Sequence, residues 1–127
     1  MTEENLVIYW QEGAREAWKT AEALMASKRY VHTLFFCHLT LEKALKACYV
    51  DVNKVPSPPV HDLNWLAEEA KVSVSDDDKN ILAEISKFNI AGRYEDYKLR
   101  LHEEATFEYV SRWVGETKRL MDVLLAE

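Results

Sequence analysis

The scarcity of helix-breaking residues constrains this chain more than any other feature. It holds three glycines and three prolines in 127 residues, and the prolines (Pro56, Pro58 and Pro59) fall together in one short stretch. Turn-rich sandwiches and barrels need glycine, proline or asparagine at frequent chain reversals. So few breakers fit long helices joined at few places. The proline stretch, which cannot continue a helix, marks one of those joints.

The apolar spacing places the helices. From about Asn5 to Ser27, the residues Leu6, Trp10, Ala14, Ala17, Ala21, Leu24 and Met25 recur every three or four positions, as on an amphipathic helix. Gly13, Ala14, Ala17 and Ala21 give it a small-residue centre that lets another helix approach closely. A second helix is predicted over about Tyr30 to Val52, with Leu34, Cys37, His38, Leu41, Ala44, Leu45, Cys48 and Val52 on a broad face. Thr33, Thr40, Lys43 and Lys46 are expected largely off that face. Phe35, Phe36 and Tyr49 widen the apolar surface, so this helix is either central in a bundle or shared with another subunit.

After the proline loop, Asp62 suits the N-cap of a short helix carrying Leu63, Leu66, Ala67 and Ala70. Ser75-Asp76-Asp77-Asp78 reads as the capped start of another, with Ile81, Leu82, Ile85 and Phe88 inward and Gly92 as its C′ residue. Arg93 to Arg100 is expected to be an irregular connection. A last helix over about Leu101 to Leu125 shows Thr106, Val110, Trp113, Thr117, Leu120, Met121 and Leu124 on one face. The expected fold is all-α: a four-helix up-and-down bundle with one extra short helix, in a single domain over residues 1–127.

Composition narrows the function. Acids outnumber bases 22 to 16, a formal charge of −6. A domain built chiefly to grip nucleic acid carries a basic face, so RNA is expected only as a local or transient ligand. No apolar run approaches membrane-spanning length and the acidic start is unlike a signal peptide, so a cytoplasmic protein is expected. Cys37 and Cys48 lie about 16 Å apart along one predicted helix, too far to pair, and are expected as free thiols. No metal or cofactor is expected: His32 and His38 are six residues apart, off the i,i+4 spacing at which two histidines on a helix share a metal.

Three runs gather the best-placed polar residues: Leu41-Glu42-Lys43-Ala44-Leu45-Lys46-Ala47, Pro59-Val60-His61-Asp62-Leu63 and Gly92-Arg93-Tyr94-Glu95-Asp96. Glu42, Lys43 and Lys46 either hold a phosphate or an acidic partner surface, or form a solvated helix face with an i,i+4 ion pair. His61, beside a helix start, either helps receive an anion with Lys46 or Arg93, or bonds across the bundle and fixes the proline loop. Arg93 and Tyr94 either bind a nucleotide by charge and stacking, or cap and pack the bundle. His102, with Arg100 or Arg93, has the chemistry of an acid/base and phosphate clamp for RNA cleavage, or is a surface histidine flanked by Glu103 and Glu104. His38 is expected as a hydrogen-bonded core or interface histidine. Phe107, Tyr109 and Trp113 either stack bases or pack between subunits.

The ordered set, from Ala14-x-x-Ala17-x-x-x-Ala21-x-x-Leu24 and Tyr30 through the Leu41–Ala47 run, His61-Asp62-Leu63 and Arg93-Tyr94-Glu95-Asp96, resembles the HEPN family, small helical domains often found beside a minimal nucleotidyltransferase. The resemblance implies a helical bundle that forms homodimers and works with a separately encoded nucleotidyltransferase. Some members are nucleotide- or substrate-binding subunits, and others are metal-independent ribonuclease toxins of toxin–antitoxin pairs. The cleaving members carry an arginine, four to six residues, then a histidine near the start of the last helix. Here Arg93 precedes His102 by nine positions and Arg100 by two. The resemblance therefore implies binding rather than cleavage, with Lys43, Lys46, His61, Arg93 and Tyr94 as the nucleotide-binding set. A dimeric scaffold without a small ligand is the remaining alternative.

Overall fold

The structure, a computed structural model, describes residues 2–91 and 94–126. Six helices account for the secondary structure of these residues: α1 (Glu3–Ala26), α2 (Tyr30–Asn53), α3 (Leu63–Glu69), α4 (Asp76–Ala91), α5 (Glu95–Glu104) and α6 (Phe107–Leu124). Short polar side chains start four of them. Thr2, Asp62, Ser75 and Thr106 accept from the amides of Asn5, Trp65, Asp78 and Tyr109, bonds of 3.1 to 3.2 Å that satisfy otherwise orphaned donors. Past the ends of α1, α2 and α3 the chain turns through a left-handed residue, and each time it is a lysine: Lys28, Lys54 and Lys71, with φ of 62°, 61° and 57°. Glycine is usual there. Lysine costs about 1 kcal/mol in backbone strain, partly offset by a cation near the negative helix end.

Cross-bundle contacts fix the directions. The Tyr30 ring at the start of α2 meets Phe107 at the start of α6, with centroids 6.5 Å apart. Near the other end the Cys48 thiol approaches the Leu124 carbonyl at 3.6 Å. Helices α2 and α6 therefore run parallel. Arg119, late in α6, holds Asp78 at the start of α4 at 2.7 Å, so α4 runs the opposite way. The tight turn at Ser27–Arg29 folds α1 back against α2. The four long helices form the up-and-down bundle, and α3 lies across it, tied by the Leu63 amide to Ser86 Oγ and by Asn53 to the Glu69 carbonyl.

The core follows the expected faces except at Val52, which is exposed in the last turn of α2. Ala14, Ala17 and Ala21 of α1, Leu34, Leu41 and Leu45 of α2, Leu63 and Leu66 of α3, Leu82, Ile85 and Phe88 of α4, and Val110, Trp113 and Leu120 of α6 are buried. Helix α2 is central, packed by α1, α3, α4 and α6. That position corrects the expectation that Thr33, Thr40 and Lys46 lie off its buried face, since all three are buried. The threonines tolerate this because each hydroxyl bonds a carbonyl of its own helix, Arg29 and Phe36 respectively, at 2.9 and 2.7 Å.

A second correction concerns the connection expected at Arg93 to Arg100. Residues 95–104 are a helix of their own, and the last helix begins at Phe107 rather than near Leu101. Thr106, expected on the apolar face, is exposed and caps α6 instead. The break falls at Ala105, whose amide closes α5 on the Leu101 carbonyl. Gly92 and Arg93 lie outside the described residues.

Candidate functional site

Two polar groups are candidates, and they are built differently. The first sits midway along α2. Helical spacing places His38, Glu42 and Lys46 on one line, four residues apart. Glu42 and Lys46 are almost wholly buried, 5% and 6% exposed. The carboxylate is shared: one oxygen accepts from His61 Nδ1 at 2.6 Å, and the other meets Lys46 Nζ at 3.3 Å. His61 arrives from the loop before α3, and its carbonyl accepts from His38 Nε2 at 2.9 Å. That bond fixes the His38 proton on Nε2. Burial pushes the His38 imidazole below its ordinary value, so it is neutral.

Helix α1 closes this group from the side. The Trp10 ring lies under the Lys46 ammonium, 5.2 Å from centroid to nitrogen. Gly13 leaves room for the stem of Lys43: a Cβ at that position would stand 3.1 Å from Lys43 Cδ. Two nitrogens in the neighbourhood, Trp10 Nε1 and His38 Nδ1, are buried without a hydrogen-bond partner among the described residues. Lys43 is half-buried. Among the sequence-selected residues, Lys46 and His61 thus come together through Glu42, with Lys43 along the α1 seam. Tyr94 does not join them. It is exposed at the start of α5, where its ring packs edge-on to Tyr97. Arg93 falls outside the described residues.

The second group lines an open groove of about 650 Å³ between the α1–α2 turn and α5. Lys28, Arg29 and His32 come from the turn and the first turn of α2; Lys98 and His102 come from α5. All five are exposed. Arg100 is not among them. Its guanidinium lies over the Tyr97 ring at 5.7 Å and it faces a different cleft, beside Glu84 and Glu104. The Cys37 thiol, pushed up to about 11 by burial, is protonated at neutral pH and is no nucleophile. Among the described residues no group of three His, Cys, Asp or Glu side chains is placed to hold a metal ion.

The sequence matches the family model described as HEPN domain over residues 7–127, nearly the whole chain. The chain belongs to the HEPN family. This HEPN domain also superposes on the crystal structure of TT1696 from Thermus thermophilus, with a TM-score of 0.78, covering 93% of this chain and 94% of that one at 17% identity. Likeness at that identity speaks for the shared fold alone. No curated protein matches the chain in sequence. No helix among the described residues is long and apolar enough to cross a membrane.

Family membership supports a nucleotide- or RNA-related role. Within this HEPN domain, sequence reasoning reached Lys46, His61 and the Glu42–Lys46 pair, but not the burial of that pair or the His61–Glu42 bond that joins them. The i,i+4 spacing of Glu42 and Lys46 was visible, whereas burial by Trp10 and by the α3 loop depends on distant segments. It also missed Lys28, Arg29, His32 and Lys98. About 70 residues separate the two halves of that groove, and no local pattern joins them.

Proposed function

We propose that this HEPN domain is a non-cleaving binding subunit that takes a nucleotide or other phosphorylated ligand and acts with a separately encoded nucleotidyltransferase, as a homodimer. The observation that carries the binding reading is the separation of Arg100 from His102 on α5. His102 lines the basic groove, while Arg100 is engaged by Tyr97 in another cleft. The Arg100–His102 pair would have to converge on one scissile phosphate to cleave RNA, and within one subunit this pair diverges; the arginine that shares the groove with His102 is Arg29, from the α1–α2 turn.

In this reading Lys46, His61 and Glu42 brace the middle of the bundle, with Lys43 along its seam, while the exposed Tyr94 remains for the ligand or partner. The nuclease alternative is tested by expressing the chain and its His102→Ala variant and following RNA integrity and growth. Neither protein is expected to cleave. RNA cleavage by the wild type that disappears in His102→Ala would overturn the binding reading. The partner half is tested by co-expression with a small nucleotidyltransferase from the same genome, expected to co-purify at a stoichiometry that includes two copies of this chain.

A further inference from the structure

The cations of this acidic chain are unevenly spent. Lys19, Lys46, Lys54, Lys87, Lys118 and Arg119 each have a carboxylate within 4.0 Å. Arg100 and Arg112 lie over aromatic rings. By contrast Lys28, Arg29 and Lys98 have no ion pair among the described residues, and all three line the same groove. Only one acid, Glu95, lines it with them. Three permanent cations against one carboxylate leave two positive charges in a chain whose formal charge is −6. Two of the four histidines, His32 and His102, stand at the same walls.

Helix dipoles do not cancel this excess, because the negative end of α1 and the positive end of α2 meet at the same turn and offset one another. The excess therefore belongs to the side chains, and no acid other than Glu95 lines the groove among the described residues to neutralise it. The chemistry of the walls indicates what would. An arginine fork and two lysine point charges suit phosphoryl oxygens, and imidazole N–H groups add directional donors. A phosphate monoester carries close to two negative charges at neutral pH, matching the groove, whereas an internucleotide diester carries one. Tyr30, Val31 and Leu99 supply an apolar stretch beside the cations for the organic part of the ligand.

We propose that the groove formed by Lys28, Arg29, His32, Lys98 and His102 binds the phosphate-monoester end of a ligand. The inference rests on the reading that this chain binds a phosphorylated ligand, and it moves the site away from the buried Lys46–Glu42–His61 group. A free mononucleotide and the phosphorylated end of an RNA share this chemistry.

The test is equilibrium binding of adenosine monophosphate, adenosine, and short oligoribonucleotides ending in a phosphate or a hydroxyl. The proteins are the wild type, a Lys28→Ala/Lys98→Ala variant, Arg29→Ala and a Lys71→Ala/Lys79→Ala control, whose exposed lysines lie in another part of the surface. Adenosine monophosphate is expected to bind and adenosine not to. The groove variants should weaken binding about tenfold or more with unchanged circular dichroism, and the control should match the wild type. Stronger binding of the phosphate-ended oligonucleotide than of the mononucleotide identifies an RNA end as the source; equal binding identifies the free nucleotide. Undiminished binding by the groove variants would overturn the groove while leaving the binding function standing. Absence of binding by every phosphate-bearing probe would overturn both.

Discussion

The middle of α2 and the groove at its start hold similar side chains in opposite states. In the middle, Lys46, Glu42 and His38 are buried in the bundle with His61 half-exposed at its edge, and the two full charges face each other at 3.3 Å beside the Trp10 ring. At the groove, Lys28, Arg29 and Lys98 are in water and make no ion pair among the described residues, with Glu95 alone of the acids lining the groove beside them. Desolvating a charge is expensive unless a partner is fixed beside it, so the first arrangement is committed to the fold. The second costs the fold little and leaves its charge to act on whatever arrives. Residue type alone does not separate a structural cation from a recognising one; what decides is whether the protein has already supplied the counter-charge.

The largest expected effect lies in the buried group. Glu42→Ala leaves the Lys46 ammonium and the His61 donor without their acceptor, and should cost about 3–5 kcal/mol in urea unfolding. A loss below about 1 kcal/mol would mean that water reaches Lys46 and that the two regions differ little in kind.

Next in size is a dependence on pH. The folded pKa of His38 lies below its ordinary 6.5, so as acid is added the unfolded chain takes up this proton first. The contribution is fully present above 6.5 and is lost as pH falls from there toward the folded value, with a slope approaching about 1.4 kcal/mol per pH unit. His38→Gln should remove this component from the stability profile. Unchanged slopes in the two proteins would show that His38 protonates within the fold.

Smaller effects belong to the groove. Lys28→Gly relieves a left-handed φ of 62° and should stabilise the protein by roughly 0.5–1 kcal/mol, raising the thermal midpoint. Arg29→Ala and Lys98→Ala should each change stability by no more than about 0.5 kcal/mol. A larger loss in either would place the groove cations among the structural ones.

Much of the bundle was legible in the sequence because its signals are local. The three- and four-residue spacing of Leu34, Leu41 and Leu45, the proline cluster, and Asp62 and Ser75 ahead of their helices all act within one or two turns. The break between α5 and α6 was not legible, because Thr106 fits an apolar-face register and an N-cap equally well from sequence alone. The ends of α1 and α2 were legible to within a residue, at Ser27 and Val52, although lysine stands at the left-handed positions that glycine usually marks. Lys46 looked like a solvated residue because its burial is produced by Trp10, 36 positions earlier, and by the loop carrying His61. The basic groove depends on α5 packing against α4 and α2 so that it faces the α1–α2 turn, which no periodicity in either segment records.

The division between a committed buried group and a recognising groove is tested most directly by following the four histidines together. Their imidazole resonances, assigned by substitution, are to be recorded while adenosine monophosphate is added to the wild-type protein. The account predicts that the His32 and His102 signals shift saturably with one common dissociation constant while those of His38 and His61 stay in place. A saturable shift of His61 with His32 and His102 unmoved would contradict it and return the ligand to the middle of the bundle.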